Sequence, residues 1–496
     1  MRLSHPSNIP SARSSGPLRR LGPALALLVL AVIAGAVAKP GPAVGAPGDP
    51  NVIVLMTDDQ AFGELAVMRK TRGLLANRGV SFENYIASYP LCCPSRVTFL
   101  TGQYSHNHGV LGNGTPIGGF SSFRQRDNLG SWLQEAGYHT THIGKFLNGY
   151  GKRSPIYIPP GWDDWQASID PSTNEYYDYR LNQNGKIVRY GRAPDDYKTD
   201  VYADKAVTAI RQQEALGAGA DPFFMFVGFT TPHLPAVPAP RHVGDFNRRA
   251  LPLARSYNEE DVSDKPSFIR KIPRFNAARK KKILRNYRRR AESLLSVDDA
   301  VAAIISELDS QDLLEDTYVM FVSDNGFFFG QHRIGKGKYL PYEGASRVPL
   351  IIRGPGLSQG ATVEAPMGNV DLAPTILDIT GASPTVTVDG QSLLPFTRQP
   401  SRRSSRPILL EANTRDRPSP GIPYTGIRTD RYKYVVYRNG QRELYDLMRD
   451  PGELRSRHRD PRYAKTRNRL ARELAQLRDC AGLSCQREIG QVPGPN

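Results

Sequence analysis

Three short apolar runs constrain the fold of this chain most: Asn51–Met56, Phe223–Phe229 and Tyr318–Val322. None alternates apolar and polar residues, as a strand with one wet face would. Unbroken runs of this length belong to strands buried on both faces, in a parallel sheet covered by helices. Between the second and third runs, Val297, Val301, Ile304, Ile305 and Leu308 recur in steps of three and four. That spacing lays one apolar stripe along a helix. The fold expected is therefore α/β, a large, mostly parallel central sheet flanked by helices. Tyr424 to Tyr437 reads as paired strands and 461–478 as a final helix. They predict a smaller C-terminal subdomain of antiparallel strands and a helix. At 496 residues the chain exceeds what one ordinary core fills. The boundaries expected are a large domain over 51–397 and a subdomain over 407–490, with 398–406 as a linker.

Each apolar run ends in polar residues. The first leads into Thr57-Asp58-Asp59, the second into Thr230-Thr231-Pro232-His233, the third into Ser323-Asp324-Asn325-Gly326. Ligands of open α/β sheets bind outside the carboxyl ends of the strands. One sheet would gather all three clusters at one crevice. Asp58, Asp59, Asp324 and Asn325 offer only hard oxygen, a donor set suited to Ca²⁺, or to Mg²⁺, rather than zinc. Three carboxylates so close need a cation between them.

Residues 92–102 read Cys92-Cys93-Pro94-Ser95-Arg96-Val97-Thr98-Phe99-Leu100-Thr101-Gly102. Pro94 suits the first turn of a helix. A helix starting there puts Cys92 at its positive end and Arg96, four residues on, near the same face. Such a place suits a nucleophile that acts on an anion.

The Cys92–Gly102 stretch resembles the signature of the type I sulfatases, members of the alkaline phosphatase superfamily. In that family the first cysteine, here Cys92, is oxidised to formylglycine (3-oxoalanine) by a formylglycine-generating enzyme. The resemblance implies one Ca²⁺ held by Asp58, Asp59, Asp324 and Asn325, with residue 92 against the same ion. A second family signature matches Gly137 to Phe146, and its lysine, Lys145, is implied to contact sulfate. A further family lysine precedes a Tyr-Glu-Gly stretch by four positions, which gives Lys338, with Lys336 as rival. His233 matches the family's active-site histidine. Many sulfatases carry another histidine two residues after the motif lysine; this chain has Leu147 there, then Asn148. Gly144 to Asn148, Cys92-Cys93 and His106-Asn107-His108 are similar to the N-acetylglucosamine-6-sulfatase branch, which includes the extracellular heparan sulfatases. His106 and His108 are read equally as pocket or loop residues.

The activity implied is sulfate ester hydrolysis, on 6-O-sulfated glucosamine of glycosaminoglycan-type sugars. The roles implied are nucleophile for residue 92, anion binding for Arg96, Lys145 and Lys338, and proton donation for His233. Alternatives are an arylsulfatase, a phosphate mono- or diester hydrolase of the same superfamily, or an inactive module that binds sulfated glycans.

Arg13, Arg19 and Arg20 precede an apolar segment, Leu25 to Val37, and a small-residue site, Ala36-Val37-Ala38. The pattern is that of an export signal over 1–38, with an uncleaved anchor as the alternative. Residues 39–50 read as a linker. The expected location is secreted or cell-envelope, in a bacterium, with no membrane attachment after signal removal. Cys480 and Cys485 are close enough in sequence to form a disulfide. The formal net charge of +17 favours anionic partners. No nucleic-acid motif accompanies it, so no nucleic-acid partner is expected. Dense basic runs at Arg279–Lys282 and Arg288–Arg290 read either as a rim that attracts a polyanionic substrate or as a solvated helix face.

Overall fold

The computed structural model describes residues 49–217, 220–412 and 423–495. The proposed export signal and nearly all of the proposed linker after it lie outside the described residues. Among those described, no helix is long and apolar enough to cross a membrane.

In chain order the strands are β1 (Asn51–Thr57), β2 (Val80–Phe82), β3 (Tyr85–Ile86), β4 (His139–Gly144), β5 (Asp164–Ser168), β6 (Tyr179–Gln183), β7 (Lys186–Tyr190) and β8 (Phe223–Gly228). There follow β9 (Thr317–Ser323), β10 (Leu350–Arg353), β11 (Ala361–Val363), β12 (Met367–Gly368), β13 (Ile408–Ala412), β14 (Tyr424–Arg428), β15 (Tyr432–Tyr437) and β16 (Arg442–Asp446). Ten of them form one sheet, in the order β11-β2-β10-β9-β1-β8-β4-β5-β6-β7. The three apolar runs are β1, β8 and β9, side by side at its centre. β1 pairs with both neighbours in parallel, with Val54 opposite Phe226 and Met320. The central strands β9-β1-β8-β4-β5 are parallel throughout, and antiparallel pairing enters at β10 and at β6-β7.

Both faces of the centre are covered. Val52, Val54 and Met56 point into one core with Val97 and Phe99 of the helix Cys92–Thr101. Ile53 and Leu55 point into the other with Leu294, Val297 and Val301 of the long helix Ala277–Ser310. Each such fully buried side chain contributes about 1.5–3 kcal/mol. The predicted stripe from Val297 to Leu308 is wholly buried.

β13 to β16 make a separate antiparallel sheet in sequential order, backed by the helix Ala464–Leu477. Cys480 and Cys485 are disulfide-bonded beside it. Arg406, in the stretch read as a linker, is buried and ion-paired with Asp371.

Candidate active site

β1, β8 and β9 all point their carboxyl ends the same way, so Asp58-Asp59, His233 and Asp324-Asn325 meet. Asp324 N donates to Thr57 O at 3.1 Å, and Asp58 N donates to Thr231 O at 3.2 Å, tying the three strand ends together. Asp59 has φ of 71°, a left-handed turn that brings its N–H onto Asp324 Oδ1 at 3.0 Å. Asn325 Nδ2 donates to Asp59 Oδ1 at 2.7 Å.

The Cys92–Thr101 helix points its first turn into this cluster. Cys92 Sγ lies 3.4 Å from Asp58 Oδ1 and 2.8 Å from Lys338 Nζ. Lys145 Nζ is 3.7 Å from the same sulfur and ion-pairs with Asp58. Lys338 ion-pairs with Asp59. One turn along, Arg96 Nε donates to Asp324 Oδ2 at 2.8 Å and its Nη1 to Lys145 O at 2.7 Å. Ser95 Oγ donates to Asp324 O. His233 Nε2 stands 3.8 Å from Asp59 Oδ2. Its Nδ1 is 2.7 Å from Leu234 O. A carbonyl only accepts, so Nδ1 carries the hydrogen and Nε2 faces the cluster.

Two glycines allow the close approach of β4 and β8 on which Lys145 depends. Lys145 N donates to Gly228 O at 2.7 Å. A Cβ at Gly228 would sit 2.2 Å from Lys145 O, and one at Gly144, where φ is +96°, would sit 2.3 Å from Gly228 O. Neither position has room for a side chain.

Burial and charge compete here. Burial raises the Asp58 carboxyl, but Lys145, His233, Arg96 and Lys338 outweigh it and hold it well below the usual range. Asp324 goes the other way: burial, then the Asp58 charge, lift it to about 6. Burial, then Asp58, push the Cys92 thiol up to about 12 despite both lysines. A thiol so held is protonated at neutral pH and a poor nucleophile. Burial lowers the His233 imidazole, and Asp58 and Asp59 only partly offset it.

The donor set fits a hard divalent cation. One ligand atom each from Asp58, Cys92 and Asp324 lies within 4.8 Å of the others, as does one each from Asp58, Asp59 and His233. Asn325 Oδ1 is buried without a hydrogen-bond partner, a state that native polar atoms rarely tolerate. Arg96 Nη2 is a buried donor in the same condition.

All nine residues singled out for this site are thus brought together. Lys338 reaches Cys92, while Lys336 is exposed. Leu147 is buried in the apolar core, and Asn148 engages Cys93: its N–H meets Cys93 Sγ at 3.1 Å. His106 and His108 lie outside the cluster. His106 bonds Glu411 Oε2 at 3.0 Å and Cys480 O at 2.9 Å; His108 bonds Thr98 Oγ1 at 3.1 Å.

Arg290 is the residue that sequence reasoning missed. Read with its neighbours as part of a solvated or substrate-facing basic run, it is fully buried. It donates to Asp59 O at 2.6 Å, to Pro232 O at 2.9 Å and to Glu64 at 2.7 Å. The signal was its register: it sits four residues before Leu294 and seven before Val297, inside the buried stripe.

A parallel sheet with this carboxyl-end cluster is the arrangement that the resemblance to the alkaline phosphatase superfamily implies. Residues 50–382 match the family described as Sulfatase, and 330–480 match N-sulphoglucosamine sulphohydrolase, C-terminal. The chain is 35% identical to human N-acetylglucosamine-6-sulfatase over 83% of its length and 73% of that protein's. It is 32% identical to a Volvox carteri arylsulfatase, covering 94% of this chain and 79% of the other. A solved structure of a protein in complex with its substrate, D-glucosamine-2-N,6-O-disulfate, superposes with a TM-score of 0.75 at 25% identity, covering 87% and 97% of the two chains. The chain belongs to the sulfatase family, as a sulfuric ester hydrolase.

Proposed function

We propose that this protein hydrolyses 6-O-sulfate esters of glucosamine in glycosaminoglycan-type sugars, using formylglycine made from Cys92 and a divalent cation, Ca²⁺ or Mg²⁺. The observation that carries the chemistry is a buried Cys92 sulfur beside Asp58, with Lys338 and Lys145 close by. That sulfur marks where the side chain made from it would stand. The similarity to N-acetylglucosamine-6-sulfatase supports the sugar.

Asp58, Asp59, Asp324 and Asn325 would hold the cation, with residue 92 against it; its charge would neutralise sulfate oxygens and ease loss of a hydroxyl proton. The hydrated aldehyde would supply two hydroxyls on one carbon, one to displace the sugar oxygen from sulfur and one to release sulfate afterwards. An intact thiol offers no such exit. Arg96, Lys145 and Lys338 spread positive charge around the sulfate oxygens without reorganising. His233 Nε2 holds the proton that passes to the departing sugar oxygen as the S–O bond breaks. The sulfate's own charge favours the protonated ring as substrate arrives. The balance is ester anion plus water giving alcohol, sulfate and one proton.

We further assign the catalytic domain to 51–397 and the antiparallel subdomain to 407–490. The first 38 residues act as an export signal, placing the enzyme outside a bacterial cell or in its envelope. The proposal rests on maturation by a formylglycine-generating enzyme and assigns no nucleic-acid partner and no membrane attachment after cleavage. The test is a sulfate-release screen with matured enzyme. Its panel holds glucosamine 6-sulfate, other positional isomers, an aryl sulfate and the matching aryl phosphate, each with and without chelator. Release from the 6-sulfate that chelator stops and Ca²⁺ or Mg²⁺ restores is expected. Faster turnover of the phosphate, or of the aryl sulfate over every sugar, would overturn the assignment.

A further inference from the structure

The Ala277–Ser310 helix is longer than the sheet it covers. Its 34 residues span about 51 Å, against about 23 Å for the seven residues of β9. Arg290 is level with Asp59, which it bonds, so residues 277–289 run on for about 20 Å past the strand ends, on the side where the site lies. The loop from Asn325 to Lys338 lies along this half-helix. Phe327 stacks under the Arg290 guanidinium at 4.3 Å, and Phe329 meets Tyr287 at 5.5 Å. Further along, a Cβ at Gly335 would meet Arg279 Nε at 3.1 Å. Leu234, next to His233, packs on the apolar cluster that Ile283 and Tyr287 form with Phe275, Phe327 and Phe329. The half-helix therefore flanks the site, held to it by the loop that carries both Asn325 and Lys338.

Its outward face is basic and unneutralised. Between Asp264 and Glu292 the chain holds twelve Lys and Arg and no carboxylate, in a protein of net charge +17. Lys281, Lys282, Arg285 and Arg289 are exposed. At 100° per residue they fall within about 100° of one another, opposite buried Ile283 and Tyr287. Among the described residues, none of the four is paired with a carboxylate. A helix face solvated for its own sake ordinarily interleaves both signs.

We propose that this half-helix is a docking rail for a polymeric sulfated polysaccharide, an exosite on the solvent side of the helix, turned away from the pocket, that holds a stretch of the polymer remote from the ester at the site. The inference rests on the sulfatase reading above and adds to it that the natural substrate is a polymer. Several phosphate- or sulfate-spaced charges along ~20 Å gain more from such a stripe than one sulfated sugar can.

The test compares full-length matured enzyme with a variant carrying Lys281→Gln, Lys282→Gln, Arg285→Gln and Arg289→Gln. The substrates are a long heparin-type chain and glucosamine 6-sulfate. Expected is a loss of about tenfold or more in kcat/KM on the polymer, carried by KM, at low ionic strength. The difference should vanish near 1 M salt, where the screening length falls to about 3 Å. On the monosaccharide the two enzymes should agree within about twofold. Equal changes on both substrates, or none on the polymer, would overturn the rail, as would loss of nucleic-acid binding with polymer turnover intact. If neither substrate is hydrolysed, the sulfatase assignment fails by itself. Elution from immobilised heparin then still decides the rail, with the variant expected at lower salt than the parent and coelution refuting it.

Discussion

Lys336 and Lys338 are two residues apart, yet only Lys338 reaches the reacting position, 2.8 Å from Cys92 Sγ and ion-paired with Asp59. Its ammonium is desolvated at a place where sulfate charge would gather, so it is worth far more there than in water. Lys338→Ala should lower kcat/KM on an aryl sulfate by about 10²–10³-fold. Lys336→Ala should stay within about twofold, since its side chain is exposed. Steady-state kinetics of the two variants decide between them, and the reverse ranking would remove Lys338 from the site. The sequence alone left this choice to motif counting, because both lysines lie in one glycine-containing loop with no periodicity to orient them. Cys92 was legible for a different reason: Pro94 and Arg96 fix a helix start around it, and the helix forms there.

At the scale of elements, three strands end together and one helix passes beneath them. Arg290 is the tie between the two. Its guanidinium neutralises Glu64 and takes carbonyls from both the Asp59 and Pro232 loops. Burial alone would depress its charge, but the Glu64 carboxylate beside it raises its pKa above the usual value. Arg290→Met would leave the buried Glu64 carboxylate with the Ala61 N–H at 2.9 Å but no cationic partner, a change that costs about 3–5 kcal/mol. Chemical denaturation should show that loss, and a deficit below about 1 kcal/mol would mean that the pair is not a structural tie. The central strands could be read from sequence because a run buried on both faces leaves no other explanation. The edges could not: β6 holds only buried and half-buried positions and β7 only exposed and half-buried ones, and β10 turns antiparallel through pairing that only the assembled sheet decides. Arg290 was hidden by its neighbours. Charge runs are read as solvated, and register overrode that reading at one position of three.

Across the whole molecule, polar contacts join the catalytic core to the antiparallel sheet. Tyr424 Oη donates to Tyr339 O at 2.7 Å, just beyond Lys338, and Tyr342 Oη donates to Glu443 Oε1 at 2.9 Å. His106 is a third tie, with one ring nitrogen on Glu411 of β13 and the other on Cys480 O. Both partners accept, so the doubly protonated ring fits. Burial opposes that charge, but the hydrogen bond and charge of Glu411 prevail and lift the imidazole to about 9 from 6.5. A group raised on folding stabilises fully below its unfolded value and loses that effect as pH climbs through the folded one. His106→Gln should therefore cost about 1–2 kcal/mol at pH 6 and almost nothing near pH 10. Unfolding curves at the two pH values test this, and an equal deficit at both would show that the tie is not ionic. This link was invisible in sequence, where the two partners are separated from His106 by hundreds of residues.

Every role assigned to the site supposes that position 92 ceases to be a thiol, since burial beside Asp58 leaves the sulfur protonated and inert. Mass spectrometry of the peptide spanning Cys92, taken from enzyme that releases sulfate, reads this directly. An aldehyde that reacts with a hydrazide and replaces the thiol is the predicted result. Only intact cysteine in fully active enzyme would contradict it.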